Sequence, residues 1–120
     1  MIVCITASGA GADAPLDSRF GRAPYLVTAD TDANEIQSEP NGFVSGSGGV
    51  GSRVAQMVVE SGAGAVITGQ VGPNAFRVLE AGGVEVYQAQ ASTVGEALAL
   101  YREGKLSRVD RPGPAHHGIG

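Results

Sequence analysis

Two glycine-rich segments of the chain have the composition of anion-binding turns. The first runs from Gly46 to Arg53 and the second from Gly69 to Ala75, and each leads directly into a helical pattern. A helix N-terminus presents backbone N–H groups without intrahelical partners and the positive end of the helix dipole. Such turns bind compact anions with few side chains. For either segment alone, the simpler interpretation is that the glycines only permit a tight turn.

Three arginines are candidates for contact with an anion. Arg19 and Arg22 flank Phe20 in the loop after the first predicted strand, and Phe20 is expected to pack into the core. A guanidinium is planar and weakly hydrated and donates several hydrogen bonds, which suits an anion with several acceptor atoms. Asp17 could orient one of these arginines, or form a surface ion pair worth about 0–1 kcal/mol. Arg53 lies in the first turn of a predicted helix, where a positive charge is repelled by the positive end of the helix dipole. It therefore either binds a ligand there or is simply solvated.

The chain also contains side chains that bind soft metals. Cys4 lies in a predicted strand whose neighbouring residues, Val3 and Ile5, point to the opposite face. Both faces are therefore apolar, which predicts a buried cysteine, with a ligand for copper or iron as the alternative. His116 and His117 could bind copper, zinc or iron, but they lie in a Gly/Pro-rich segment for which a flexible tail is the default interpretation.

The acidic residues do not form a catalytic pattern. Asp13, Asp17 and Asp30 suggest a nuclease, but two-metal nucleases need several carboxylates that converge on paired ions. The first predicted strand, Met1–Ala7, carries no acidic residue. No lysine follows either glycine turn, unlike the P-loop of nucleotide-binding enzymes. We therefore predict a protein that is not an enzyme.

The composition restricts the class of protein and its partners. A chain of 120 residues suits one domain, and a net charge of −4 with a pI of about 5.0 argues against the basic face needed for nucleic acids or membrane surfaces. The single cysteine cannot form an internal disulfide, which fits a reducing cytoplasm. Met1–Ala7 lacks the basic start of a signal peptide. We expect a cytoplasmic protein that binds neither nucleic acid nor membrane.

Hydrophobic periodicity predicts five strands and three helices. The strands are Met1–Ala7, Tyr25–Asp30, Glu35–Glu39, Ala65–Thr68 and Val84–Tyr87, and the helices run from about Val50 to Ser61, from Pro73 to Ala81 and from Thr93 to Arg102. Thr93 and Glu96 have the spacing of a capping box at the start of the third helix. Glycines follow the helices, as is common at helix ends.

This order predicts an α/β fold with a mixed five-stranded sheet. The first three strands form an antiparallel meander, and strands separated by helices pair in parallel. Ligands of such sheets collect at the carboxyl ends of the parallel strands. The loop after Ala7, the turn before Val50 and the turn after Thr68 are expected there. The predicted domain covers residues 1–106, and residues 107–120 are predicted to be a flexible Gly/Pro/His tail.

Five segments together resemble one known family. They are Asp17-Ser-Arg-Phe-Gly-Arg22, Gly48–Gly51, Gly69–Ala75, Val94–Ala97 and Tyr101–Leu106. The chain resembles the dinitrogenase iron–molybdenum cofactor biosynthesis family, which includes small carrier proteins of nitrogenase assembly, from Met1 to about Leu106. The resemblance implies a ribonuclease-H-like fold.

The resemblance also implies carriage or storage of a metal–sulfur cluster that contains molybdenum. The cluster would be of the Fe–Mo–S type, or of the Mo–Cu–S type held without covalent ligands by the orange proteins, a subset that the chain is also similar to. Binding would then use arginines and backbone N–H groups, with an apolar wall of Val50, Val71 and Pro73. The residues predicted to contact the cluster are Arg19, Arg22, Gly49, Gly51, Arg53, Gly72 and Asn74, with Cys4, His116 and His117 as candidate metal ligands.

Two other functions stay open at this point. The same glycine turns could bind phosphate or a nucleotide, although the lysine of a P-loop is absent. The chain could instead be an interaction domain in metallocluster assembly without a ligand of its own. For a cluster carrier or an interaction domain, we expect an assembly or recipient protein as a partner. We also expect a monomer or weak dimer.

Overall fold

The computed structural model describes residues 1–33, 35–41, 50–90 and 92–110. Within these ranges, six strands and three helices follow one another along the chain. They are β1 (Ile2–Ala7), β2 (Tyr25–Asp30), β3 (Glu35–Pro40), α1 (Val50–Glu60), β4 (Ala65–Thr68), α2 (Pro73–Ala81), β5 (Glu85–Gln88), α3 (Val94–Arg102) and β6 (Ser107–Val109). The strands form one sheet in the order β3-β2-β1-β4-β5-β6. None of the helices described is long and apolar enough to cross a bilayer.

The prediction of five strands is wrong, because the sheet has six. Strand β6 pairs antiparallel with β5, from Val86 opposite Val109 to Gln88 opposite Ser107. Three residues are too few to show a period, so the sequence gives no local signal for this strand. The α/β class, the mixed sheet and the three helices are confirmed, and the ribonuclease-H-like assignment stays a prediction. Residues 111–120 of the predicted tail lie outside the described residues.

Strand β1 lies in the middle of the sheet and is buried on both faces. It pairs antiparallel with β2 and parallel with β4. Val3, Ile5 and Ala7 pack in a cluster that includes residues of α3, whereas Cys4 packs on the opposite face with α1 and α2. Burying an aliphatic side chain of this size stabilises the fold by about 1.5–3 kcal/mol. The alternation therefore fixes the register of β1 between two apolar layers.

One edge of the sheet collects the ends of several strands and the beginnings of the helices. Strands β1, β3, β4 and β5 run in one direction and end at Ala7, Pro40, Thr68 and Gln88. We call this the carboxyl edge. Helices α2 and α3 begin there because they follow β4 and β5, and α1 also begins there, against the loop between β1 and β2. The loop after Ala7 and the turn after Thr68 meet at this edge as expected, whereas the turn before Val50 lies outside the described residues.

Candidate functional site

The segment that carries Asp17 is tied to the centre of the sheet. The hydroxyl of Thr6 donates a hydrogen bond to the carbonyl oxygen of Asp17 at 2.6 Å and lies 2.8 Å from the hydroxyl of Thr68. The backbone N–H of Asp17 donates in return to the carbonyl of Thr6 at 3.0 Å. All three residues are buried. Because Thr6 and Thr68 lie at the ends of two neighbouring parallel strands, this bonding holds the loop at the carboxyl edge.

The same loop then pairs with the turn after β4. The backbone N–H of Gln70 donates to the carbonyl of Ser18 at 2.8 Å, and that of Phe20 donates to the carbonyl of Gln70 at 3.2 Å. A Cβ atom at Gly69 would lie only 2.5 Å from the Cβ of Ser18, so this close pairing requires glycine. Phe20 is buried in the core with residues of α1 and α2, as the sequence predicts.

Two glycines bring the loop against the first turn of α1. Gly21 has a φ of +89°, and a Cβ atom there would lie 2.8 Å from the Cα of Gly51. The loop backbone and the helix backbone are therefore in direct contact. Arg22 follows Gly21 in the loop, and Arg53 lies in the same helical turn as Gly51. The structure thus brings the Arg22 backbone and the first turn of α1 to one place, as the predicted site requires.

Asn41 fixes the other side of this loop, and the sequence analysis missed it. Its side-chain amide is 3% exposed and donates hydrogen bonds to the carbonyl oxygens of Gly21 at 3.0 Å and Ala23 at 2.9 Å. Its backbone N–H donates to the carbonyl of Pro24 at 2.7 Å. An asparagine beside a proline is typical of turns in general, so the sequence alone does not indicate this role.

Asp17 holds the guanidinium of Arg19 in one orientation. The Arg19 guanidinium donates to both carboxylate oxygens of Asp17, at 3.2 and 3.1 Å, and the backbone N–H of Arg19 donates to Oδ1 at 2.9 Å. Burial alone would raise the pKa of Asp17, but the hydrogen bonds and charge of Arg19 outweigh it and lower that pKa. The same pairing raises the pKa of Arg19, whose side chain is 55% exposed. Arg19 is therefore a fixed, permanently charged group at this edge.

The ion pair predicts a pH-dependent stability. The folded pKa of Asp17 is depressed, so ionised Asp17 contributes stability above its unfolded pKa of about 3.9, and that contribution is lost as the pH falls through the folded pKa. Urea unfolding of the wild type and Asp17→Asn should therefore differ by a constant amount above about pH 5, and the difference should shrink below about pH 4. Asp13→Asn changes an exposed carboxyl of the same loop and is the control. A difference that does not vary with pH would contradict the ion-pair interpretation.

The three helices differ in the side-chain caps and acidic residues at their N-termini. The hydroxyl of Thr93 accepts a hydrogen bond from the N–H of Glu96 at 3.1 Å, so α3 is capped and carries an acidic residue in its first turn. Helix α2 begins after Gly72 without a side-chain cap, and neither α1 nor α2 has an acidic residue in its first turn. The positive dipole ends of α1 and α2 at the carboxyl edge are thus not neutralised by an acidic side chain in the first turn of either helix. Asn74 is exposed in the first turn of α2.

A groove of about 460 Å³ adjoins the anchored loop at this edge. Its lining includes three glutamines, which the sequence did not predict as site residues, and Ser18 and Gly69, which are in close contact. The lining residues include Leu16, Gln70, Gln88 and Gln90. None of the described residues that line the groove carries a carboxylate, so they do not repel an anion.

The other predicted site residues lie apart from this arrangement or outside the described residues. Cys4 is buried three residues before the end of β1 and faces α1 instead of the edge. Burial raises the pKa of its thiol. Gly49, His116 and His117 lie outside the described residues. Within the ranges that the structure covers, no group of three histidine, cysteine, aspartate or glutamate residues could hold a metal ion.

The predicted apolar wall needs a correction. Val50 and Val71 are buried in the core beneath α1 and α2, so their side chains do not face a ligand at the surface. Pro73 stays partly exposed at the start of α2. Arg53 is exposed, and in the described part of the chain its guanidinium has no ion-pair partner.

Comparison with known proteins places the chain in a family. The family model described as dinitrogenase iron-molybdenum cofactor matches residues 1–104, so the chain belongs to that family and the resemblance noted from the sequence is confirmed. Among relatives, the Uncharacterized protein MJ0580 of Methanocaldococcus jannaschii is 30% identical over 98 residues, which cover 79% of this chain and 83% of that protein.

Two solved structures are similar over almost the whole chain. The apo form of the orange protein (ORP) from Desulfovibrio gigas is 36% identical with a TM-score of 0.89, and the match covers 94% of this chain and 96% of that one. The Thermotoga protein TM1290, of the DUF35 family, is 31% identical with a TM-score of 0.84, and the match covers 96% of this chain and 98% of that one.

Proposed function

We propose that the protein carries an anionic metal–sulfur cluster that contains molybdenum and holds it non-covalently at the carboxyl edge. One observation carries the proposal. The loop with Arg19 and Arg22 is fixed against the first turn of α1, beside two helix N-termini that lack acidic residues. Membership of the dinitrogenase iron-molybdenum cofactor family and the likeness to the orange protein support this cargo over other anions.

The donor set of this edge fits such a cargo. The sulfides of a thiometallate cluster accept hydrogen bonds and carry negative charge, and guanidinium and backbone N–H groups are donors without acceptor capacity. The described residues hold no group of metal-ligating side chains at this edge. Capture by charge and hydrogen bonds is therefore the mode that the residues favour, for a cluster of either the Mo–Cu–S or the Fe–Mo–S type.

Each residue has a distinct part in this mechanism. Arg22 and Arg53 offset the charge of the cluster, one from the loop and the other from the first turn of α1. Backbone N–H groups at Gly51 and in the first turn of α2, between Gly72 and Asn74, donate to sulfides. The protein performs no chemistry on the cargo in this proposal. It keeps the cluster bound until a recipient protein removes it.

The first experiment is metal analysis with a visible absorption spectrum on untagged protein purified without oxygen. We expect molybdenum together with copper or iron, and a sulfide-to-metal charge-transfer band. If the protein is isolated empty, it is reconstituted with tetrathiomolybdate and copper. A chain that stays colourless after reconstitution would contradict cluster carriage and favour an interaction domain. Binding of phosphate or a nucleotide by calorimetry would instead favour the phosphate-binding alternative.

The residue roles have their own test. Arg22→Ala combined with Arg53→Ala should lower cluster affinity about 10- to 100-fold, because each charge-assisted hydrogen bond contributes about 1.5–3 kcal/mol and part of it is replaced by water. Cluster retention is measured by the absorbance that remains after gel filtration. Arg77→Ala combined with Arg102→Ala removes the same charge from the middle of α2 and the end of α3 and is the control. Equal retention in the two double variants would contradict the roles of Arg22 and Arg53.

A further inference from the structure

A second site with metal-binding side chains lies away from the carboxyl edge. A cavity of about 40 Å³ lies between the C-terminal half of α1 and the face formed by β1, β2 and β3. The residues that line it include Cys4, Met57 and Glu39, together with Thr28 and Ser61. These are the only cysteine of the chain and one of its two methionines. Neither sulfur atom has a part in the cargo site proposed above.

Strand register explains why these side chains meet. Cys4 is opposite Thr28 in the pairing of β1 with β2, and Glu39 is opposite Leu26 in the pairing of β2 with β3. Opposed residues share a face of a sheet, as do residues two apart on one strand. All of them therefore point to the face covered by α1. Ser61 follows the last residue of α1, and its backbone N–H donates to the carbonyl of Met57 at 3.0 Å, so Met57 and Ser61 lie one helical turn apart on the same side.

The residues that line the cavity differ in how deeply they are buried. Glu39 and Ser61 are exposed, Met57 is half-buried, and Cys4 is 3% exposed. A cation would therefore meet the carboxylate first, then the thioether and then the thiol. The charge of Glu39 reaches the thiol, since it contributes, after burial, to raising the pKa of Cys4, while hydrogen bonds with Thr28 and Ser61 oppose that shift. Cys4 and Glu39 both line this cavity, so an ion inside it would lie beside both residues.

We propose that this cavity binds one soft monovalent cation, Cu(I) or its analogue Ag(I), through the sulfur atoms of Cys4 and Met57. Thiolate and thioether ligands select Cu(I), whereas zinc prefers four nitrogen, sulfur or oxygen ligands in a tetrahedron. On binding, the S–H bond of Cys4 breaks, a sulfur–metal bond forms, and the proton leaves to solvent. The oxidation state of the metal does not change. This site and the cargo edge are separate, so either proposal can fail alone.

The test is a titration of the full chain with Ag(I), which has no redox chemistry under these conditions, followed by Cu(I) under anaerobic conditions against a chromogenic chelator. We expect one ion and one released proton per chain. Cys4→Ala should abolish this binding. Met57→Leu should weaken it about 10-fold or more, and the X-ray absorption spectrum of the bound Cu(I) should change from two sulfur neighbours to one. Leucine conserves the volume of methionine, so this variant should keep the fold.

His116 and His117 provide the matched control, because imidazole also binds copper. The double variant His116→Ala with His117→Ala should keep the one-to-one stoichiometry and the affinity of the wild type. Loss of binding in that variant, or an unchanged affinity in Met57→Leu, would overturn the proposal, as would a wild-type chain that binds no ion. If Cys4→Ala does not fold, Met57→Leu and the spectrum decide the question.

Discussion

Alanine at Gly21 is expected to lower the free energy of unfolding by about 2–5 kcal/mol. The φ of +89° is a left-handed conformation that costs an L-residue with a Cβ roughly 1–2 kcal/mol. The new Cβ would also lie 2.8 Å from the Cα of Gly51, and overpacking of this kind costs typically about 1–3 kcal/mol. Urea denaturation of Gly21→Ala measures the change. Because the loop would move away from α1, cluster affinity should fall as well.

Gly11 offers a matched control for this prediction. Its φ is +90°, almost the same as that of Gly21, but a Cβ there would meet no atom within 4 Å. Gly11→Ala should therefore show only the conformational cost of about 1–2 kcal/mol and should leave cluster affinity unchanged. Equal losses of stability in the two variants would show that the contact between Gly21 and Gly51 contributes nothing.

Leucine at Asn41 is expected to destabilise the protein by about 2–4 kcal/mol, because it removes both donors of a buried amide. The carbonyl oxygens of Gly21 and Ala23 would lose partners now at 3.0 and 2.9 Å, with an apolar side chain in place of the amide. Thermal and urea unfolding measure the loss. Cluster affinity should fall too, since these carbonyls belong to the loop that carries Arg22.

The variant Asn41→Asp separates donor loss from a change of shape. Its carboxyl is nearly the size of the amide, but when ionised it can only accept hydrogen bonds and would repel both carbonyl oxygens. Burial and these carbonyls should raise its folded pKa above the usual value of about 3.9. A raised folded pKa means that stability is favoured at low pH and lost as the pH rises. Asn41→Asp should therefore approach the wild type in acid, and a penalty independent of pH would contradict the donor role.

The elements of this fold are predictable where they are long enough to show a period. The buried run of β1, the helical spacing in α1 and the cap at Thr93 all appear in the structure where the sequence places them. Strand β6 was missed because it has three residues, and its formation depends on the free side of β5 rather than on its own composition. Tertiary pairing of this kind has no local signature.

The site was predictable in part for a related reason. Asp17 and Arg19 are two residues apart, so their pairing follows from local spacing, and it is confirmed. The amide of Asn41 reaches carbonyls 18 and 20 residues away, and the contact of Gly21 with Gly51 spans 30 residues. The chemistry of the loop could thus be anticipated from its residues. The contacts that hold it rigid depend on the three-dimensional arrangement.

The pairing of β1 with β4 also bears on the order in which the molecule folds. Strands β1, β2 and β3 are neighbours both in sequence and in the sheet, so their pairing closes shorter loops than the pairing of β1 with β4. The hydrogen bond between Thr6 and Thr68 joins residues 62 positions apart, and closing so long a loop has a larger entropic cost. We therefore expect the meander to form early and the carboxyl edge late. A nascent or partly folded chain would then lack the assembled carboxyl edge and could not bind the proposed cluster. A labile cluster would therefore be captured only by the fully folded protein.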